Sequence, residues 1–197
     1  MATHAINLLK ALDVRQADLL GFSMGSLVAQ QVALEQPALV RRVILVGSGP
    51  RGGVGMATLT PEFQGFLGKQ RADPADLLLD VFFTPSPASQ AAGRAFLARL
   101  AERKTDRDIA ISDEVVPAQV AAFAAWGAPQ STDYLKRIAQ PVLVIAGSKD
   151  IVHYTINSYA LQQQLPHTQL VIYPDSNHGS LFQYPELFVQ EASRFLK

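Results

Sequence analysis

The chain has 197 residues, 48% of them hydrophobic, enough for one sizeable core or a core with an appended lid. Seventeen Lys and Arg balance seventeen Asp and Glu, and the zero formal net charge points away from nucleic acid or an anionic membrane as partner. There is no cysteine, which rules out disulfides and thiolate metal sites.

Residues Ala5 to Leu12 read as a short amphipathic helix, with Ile6, Leu8, Leu9 and Leu12 apolar. No basic n-region with an uninterrupted apolar stretch opens the chain, and no window of about 18 apolar residues occurs, so the expected location is cytoplasmic, without a membrane partner. Ala17 to Phe22 reads as a strand, and Met24 to Gln36 as a helix stopped by Pro37. Between them lies Gly21-Phe22-Ser23-Met24-Gly25, a G-x-S-x-G sequence in the strand–turn–helix setting of a nucleophile elbow. A Cβ at either glycine is expected to collide with backbone in so sharp a turn. The turn would hold the Ser23 hydroxyl at the carboxyl end of the strand and the amino end of the helix.

Arg42 to Gly47 is a β-branched apolar run, the pattern of a strand buried on both faces; Pro141 to Gly147 and Gln169 to Tyr173 repeat it. Tyr154 to Leu165 and Pro185 to Leu196 have helical spacing. Strands alternating with helices imply an α/β fold with a parallel sheet of about four strands flanked by helices. The alternation breaks between residues 50 and 134. Helical patterns at Pro61–Gln70, Pro74–Phe83, Ser89–Lys104 and Pro117–Trp126 fill that stretch, with no comparable strand run. The expected organisation is a core of residues 1–49 and 135–197 with a helical lid insertion at 50–134. A separate helical domain is the competing reading, and the strand pattern that resumes after the segment favours the insertion.

A serine nucleophile needs a base, and the base needs a group that fixes its tautomer. Of the four histidines, His4 lies near the amino terminus, His167 follows Pro166 in a turn, and His153 lies just past a strand end. His178, in Asp175-Ser176-Asn177-His178-Gly179, sits between the last strand and last helix, at the sheet edge that carries the elbow. Asp150 ends Gly147-Ser148-Lys149-Asp150 at the same edge and is the preferred acid; Asp175 is read as a turn cap. The order Ser23, Asp150, His178 is the one tied to the α/β-hydrolase fold.

The elbow, the strand–Gly-x-x-Asp turn and the Asn-His-Gly loop together resemble the α/β-hydrolase superfamily, in its lidded, esterase-like serine branch. That resemblance spans nearly the whole chain and implies roles for these residues. Ser23 would attack a carbonyl carbon, His178 would take and return the proton, and Asp150 would orient the imidazole. The Met24 backbone N–H would donate to the oxyanion, and no cofactor or metal is implied. Serine at the elbow argues against the chemistries of members that carry aspartate there. Met24, Phe82, Phe83 and Trp126 are candidates to line an acyl pocket, against the competing reading that they are core. The glycines near Arg51 lack a phosphate-loop context and are read as a lid hinge.

The superfamily carries several strands ahead of the elbow and often a His-Gly loop that gives a second oxyanion donor. This chain begins one helix before the elbow, and no such motif precedes Gly21. Losing one donor costs about 3–4 kcal/mol of transition-state stabilisation. The expectation is a hydrolase of small esters, impaired unless another segment supplies the donor. Perhydrolysis, lactone opening and C–C cleavage stay open on the same triad. A non-catalytic paralogue that oligomerises or binds a small molecule is the alternative. One edge of the elbow strand would be unpaired, a template for a second copy of the chain, giving a dimer, or for a separately encoded amino-terminal half.

Overall fold

The computed structural model describes residues 1–109, 111–112 and 114–197. Four strands, β1 (Ala17–Phe22), β2 (Val40–Val46), β3 (Val142–Gly147) and β4 (Thr168–Tyr173), form one parallel sheet in sequential order. Registers such as Phe22 with Val46, Val46 with Ile145, and Ala146 with Ile172 bring their carboxyl ends to one rim.

The strand runs are almost wholly apolar because both faces are covered. Val43, Leu45, Val142 and Val144 point into a core closed by α1 (Ala2–Ala11), α2 (Met24–Glu35) and α7 (Thr155–Gln164). The alternate residues Ile44, Val46, Leu143 and Ile145 face the other way, against Ala192, Phe188 and Phe195 of α9 (Pro185–Leu196). Strand periodicity sorts adjacent side chains into the two layers, so each must be apolar. The outer side of β1 has no partner strand among the described residues, and Leu20 on that strand is 53% exposed.

Between β2 and β3 run α3 (Pro61–Leu67), α4 (Asp76–Phe82), α5 (Pro87–Glu102) and α6 (Val115–Gly127). Helices α3 and α5 begin alike: the Thr60 and Ser86 hydroxyls accept from the backbone N–H three residues on, and proline fills the first turn. Helix α6 starts two residues before the expected Pro117, which the first turn tolerates because the N–H that proline lacks would have no intrahelical acceptor there. A four-residue helix, α8 (Ser180–Gln183), follows the His178 loop, too short for its periodicity to register in the sequence. Among the described residues no helix is long and apolar enough to cross a membrane.

Candidate active site

The turn from β1 into α2 puts Ser23 at φ 53°, ψ −125°, in the left-handed half of the map where a non-glycine residue is strained. The turn is held from both sides. The Ser23 N–H donates to the Val46 carbonyl at 2.9 Å, and its carbonyl accepts from the Ser26 N–H at 2.9 Å. Beneath it lies a buried polar strut, in which the Ser26 hydroxyl reaches Ser48 Oγ at 2.7 Å and Gln30 Nε2 donates to Ser48 Oγ at 3.1 Å. Met24 is the first residue of α2, so its N–H has no intrahelical acceptor.

The two elbow glycines are not equivalent. A Cβ on Gly21 would fall onto the Gly25 carbonyl and lie 2.6 Å from Ser26 Cα, whereas one on Gly25 meets nothing within 4 Å. The collision expected at both positions therefore occurs at Gly21 alone; Gly25 is exposed and faces open space. Gly21→Ala is expected to destabilise the fold by more than about 3 kcal/mol, since the obstacle is backbone that cannot step aside. Gly25→Ala should stay within about 1 kcal/mol. Urea denaturation of the two variants measures the contrast.

The histidine and the acid converge from β4 and β3. His178 Nδ1 lies 2.9 Å from Asp150 Oδ2 and 3.1 Å from Oδ1, with both residues buried. Asp150 Oδ1 also accepts the backbone N–H groups of Val152 and His153, each at 2.9 Å. Burial by itself would raise the carboxyl, but the charge and hydrogen bond of His178, aided by His153, outweigh it and hold Asp150 below the ordinary carboxylate value. Asp175 takes no part in this pair. Its carboxylate accepts from the Thr84 hydroxyl at 2.8 Å and from the Ser86 hydroxyl, tying the α4–α5 connection to the loop after β4.

His178 Nε2 is buried and has no hydrogen-bond partner among the described residues, so no bond yet joins it to Ser23. The two residues nevertheless meet neighbouring positions at the end of β2. Ser23 is bonded to Val46, and the next residue, Gly47 (φ +54°), lies under the imidazole, where a Cβ would come within 2.8 Å of His178 Cε1. Catalytic hydrogen bonds are often long before substrate binds and tighten afterwards.

Two further residues, to which the sequence assigned no role, shape the site. Asn177 Oδ1 accepts from Ile151 N at 3.0 Å and from His178 N at 2.9 Å, clamping the acid loop to the histidine loop. His153 is 1% exposed; its Nδ1 is 2.6 Å from the Gly47 carbonyl, and its ring is stacked on Phe123 of α6 and set edge-on to His178. Burial, then the neighbouring His178, push its pKa down to about 4. A histidine depressed in the fold binds fewer protons there than in the unfolded chain between about pH 4 and 6.5, so stability is full above that window and falls as the pH drops through it. The shift corresponds to a loss of up to about 3 kcal/mol. Urea midpoints at pH 7 and pH 4.5 should show this loss, and His153→Phe should flatten it.

A cavity of about 460 Å³ opens beside Ser23. Its walls include Met24, Phe63, Val120, Phe123, Val152 and His153. Of the expected pocket residues, only Met24 lies there. Phe82 packs against Phe22 and the His178 ring. Phe83 is buried beneath α5, and Trp126 donates to the Gly49 carbonyl and stacks with Arg51. Phe83 follows the last turn of α4 and, like Phe82, packs against Phe96 of α5 rather than the cavity; Trp126 sits one turn beyond Phe123 and overshoots the cavity.

The sequence profile of the alpha/beta hydrolase fold matches residues 2–185. An alpha/beta hydrolase fold protein from Chitinophaga pinensis superposes with a TM-score of 0.91 and 38% identity, covering 100% of this chain and 70% of that one. The 2-hydroxymuconate semialdehyde hydrolase of Pseudomonas putida is 27% identical over 98% of the chain, and 66% of that enzyme is covered. The pimeloyl-[acyl-carrier protein] methyl ester esterase of Nitrosomonas europaea is 28% identical over 86% of the chain and 67% of its own length.

Proposed function

Because the chain belongs to the alpha/beta hydrolase fold family, we propose that it is a cofactor-free serine hydrolase cleaving small carboxylic esters through an acyl-enzyme. One observation carries this reading: the ring of the buried Asp150–His178 pair lies against Gly47, the residue after the Val46 carbonyl that receives the backbone N–H of the strained Ser23, and Ser23 lines an apolar-walled cavity. The relatives include a methyl ester esterase and a semialdehyde hydrolase, which supports hydrolytic chemistry at such a site and leaves the leaving group open.

In the proposed sequence, the Ser23 hydroxyl adds to the ester carbonyl as His178 Nε2 takes its proton. Asp150 holds the Nδ1–H and stabilises the imidazolium. The carbonyl oxygen, now an oxyanion, receives the Met24 N–H at the amino end of α2. Collapse expels the alkoxide, which leaves as alcohol with the proton from His178. Water, deprotonated by the same imidazole, then adds to the acyl-serine and releases the acid. The helices of residues 50–134 act as the lid that shapes the acyl cavity. The open edge of β1 receives a further strand, from a second copy or from an amino-terminal segment that also brings the second oxyanion donor.

A fluorophosphonate probe tests the reading without a guess at the substrate. Labelling at Ser23, accompanied by an acyl burst with p-nitrophenyl esters, is the expected result. Absence of both from folded protein would favour the non-catalytic paralogue.

A further inference from the structure

His153 is a buried imidazole that the hydrolytic sequence above does not use. Its protonation is dictated by its neighbours. A carbonyl oxygen can only accept, so the 2.6 Å contact between Nδ1 and the Gly47 carbonyl places the proton on Nδ1. The ring is neutral, as its depressed pKa of about 4 also requires at ordinary pH. Nε2 therefore carries a bare lone pair. No protein donor among the described residues bonds to it, although His153 is 1% exposed and lines the cavity together with Ser23. The ring cannot easily turn away, because Phe123 stacks flat on it with centroids 5.3 Å apart and an 8° tilt, while His178 closes on it edge-on at 5.1 Å.

The His153 Nε2 atom is not among the enclosed unpartnered polar atoms of the described residues, so this acceptor is open to a donor that enters the cavity. We propose that His153 is a specificity-determining residue whose Nε2 accepts a hydrogen bond from a hydroxyl or enol on the acyl portion of the substrate. The preferred substrates are then hydroxyacyl or enolic esters rather than plain alkanoyl ones. This rests on the hydrolase reading for its turnover and on cavity geometry for its binding. A group with only acceptors, such as a ketone or carboxylate, finds no partner at that nitrogen. A pocket that hydrogen-bonds a substrate hydroxyl discriminates more sharply than one that only adds apolar contact.

The test compares p-nitrophenyl butyrate with its 2-hydroxy and 3-hydroxy analogues. For the unaltered chain, one hydroxy ester should exceed the plain ester in kcat/KM by about 10-fold or more. His153→Phe keeps the flat ring on Phe123 but removes the acceptor, and should bring that ratio close to one. His153→Gln retains an amide oxygen and should give an intermediate ratio; it also serves if the phenylalanine variant does not fold. A ratio near one in the unaltered chain, or one that survives His153→Phe, overturns the proposal. Failure of the hydrolase reading shows separately, as absence of Ser23-dependent turnover on all the esters. In that event, saturation-transfer NMR of methyl 3-hydroxybutyrate against methyl butyrate on Ser23→Ala protein reads the same preference. Its disappearance in Ser23→Ala/His153→Phe supports the proposal, and its absence from the single variant overturns it.

Discussion

Ser23→Ala is expected to lower kcat on p-nitrophenyl esters by about 10⁴-fold or more, to the uncatalysed background, while the urea midpoint stays close to that of the parent. The structural half follows from what the hydroxyl does in the fold. Ser23 precedes the first residue of α2, but its side chain makes no capping hydrogen bond, and the turn is held by its backbone N–H and carbonyl. Alanine at φ 53° meets the same strain as serine, so the substitution removes little besides the hydroxyl. The catalytic half follows from the cooperation of the three groups. Without the hydroxyl, the Asp150–His178 pair has no oxygen to activate. Equal rates from parent and variant, with both folded, would assign the ester turnover to background and leave the non-catalytic reading.

The strands were legible in the sequence for a plain reason. A sheet covered on both faces demands apolar residues at successive positions, and Val43-Ile44-Leu45-Val46 satisfies this by sending alternate side chains into two cores. The elbow and the Asp150 and His178 loops were legible because each lies directly beside such a strand, at its carboxyl end. The cavity was not. Helical periodicity shows that Val120, Phe123 and Trp126 share a stripe, yet it does not say which turn of the stripe overlies the serine. Phe82 and Phe83 were placed in the pocket, and the end of α4 packs both against Phe96 instead. Gly25 looked as constrained as Gly21 because the motif is written with both, and only the path of the backbone distinguishes them. His153 carried one signal, a second histidine three residues after the acid. Its role depends on a partner, Phe123, that is remote in the chain, and on a carbonyl at Gly47 that fixes its tautomer.

Asp150→Asn should cost about 10⁴-fold in kcat, and Asp175→Asn should cost less than about 10-fold. The two aspartates compete for the acid role on sequence distance alone, since Asp175 is much nearer to His178. Geometry separates them. Asp150 is buried and presents both oxygens to His178 Nδ1, while Asp175 is exposed and engaged by Thr84 and Ser86. An asparagine at 150 still accepts the Val152 and His153 N–H groups through its oxygen, so the loop survives. It loses the charge that stabilises an imidazolium, and its amide favours the histidine tautomer with the proton on Nε2, the atom that must take one from Ser23. Asn at 175 loosens the α4–α5 tether instead, and that shows as a lower melting temperature with a nearly normal burst. Rates reversed between the two variants would move the acid to position 175 and break the Ser23, Asp150, His178 order on which the mechanism stands.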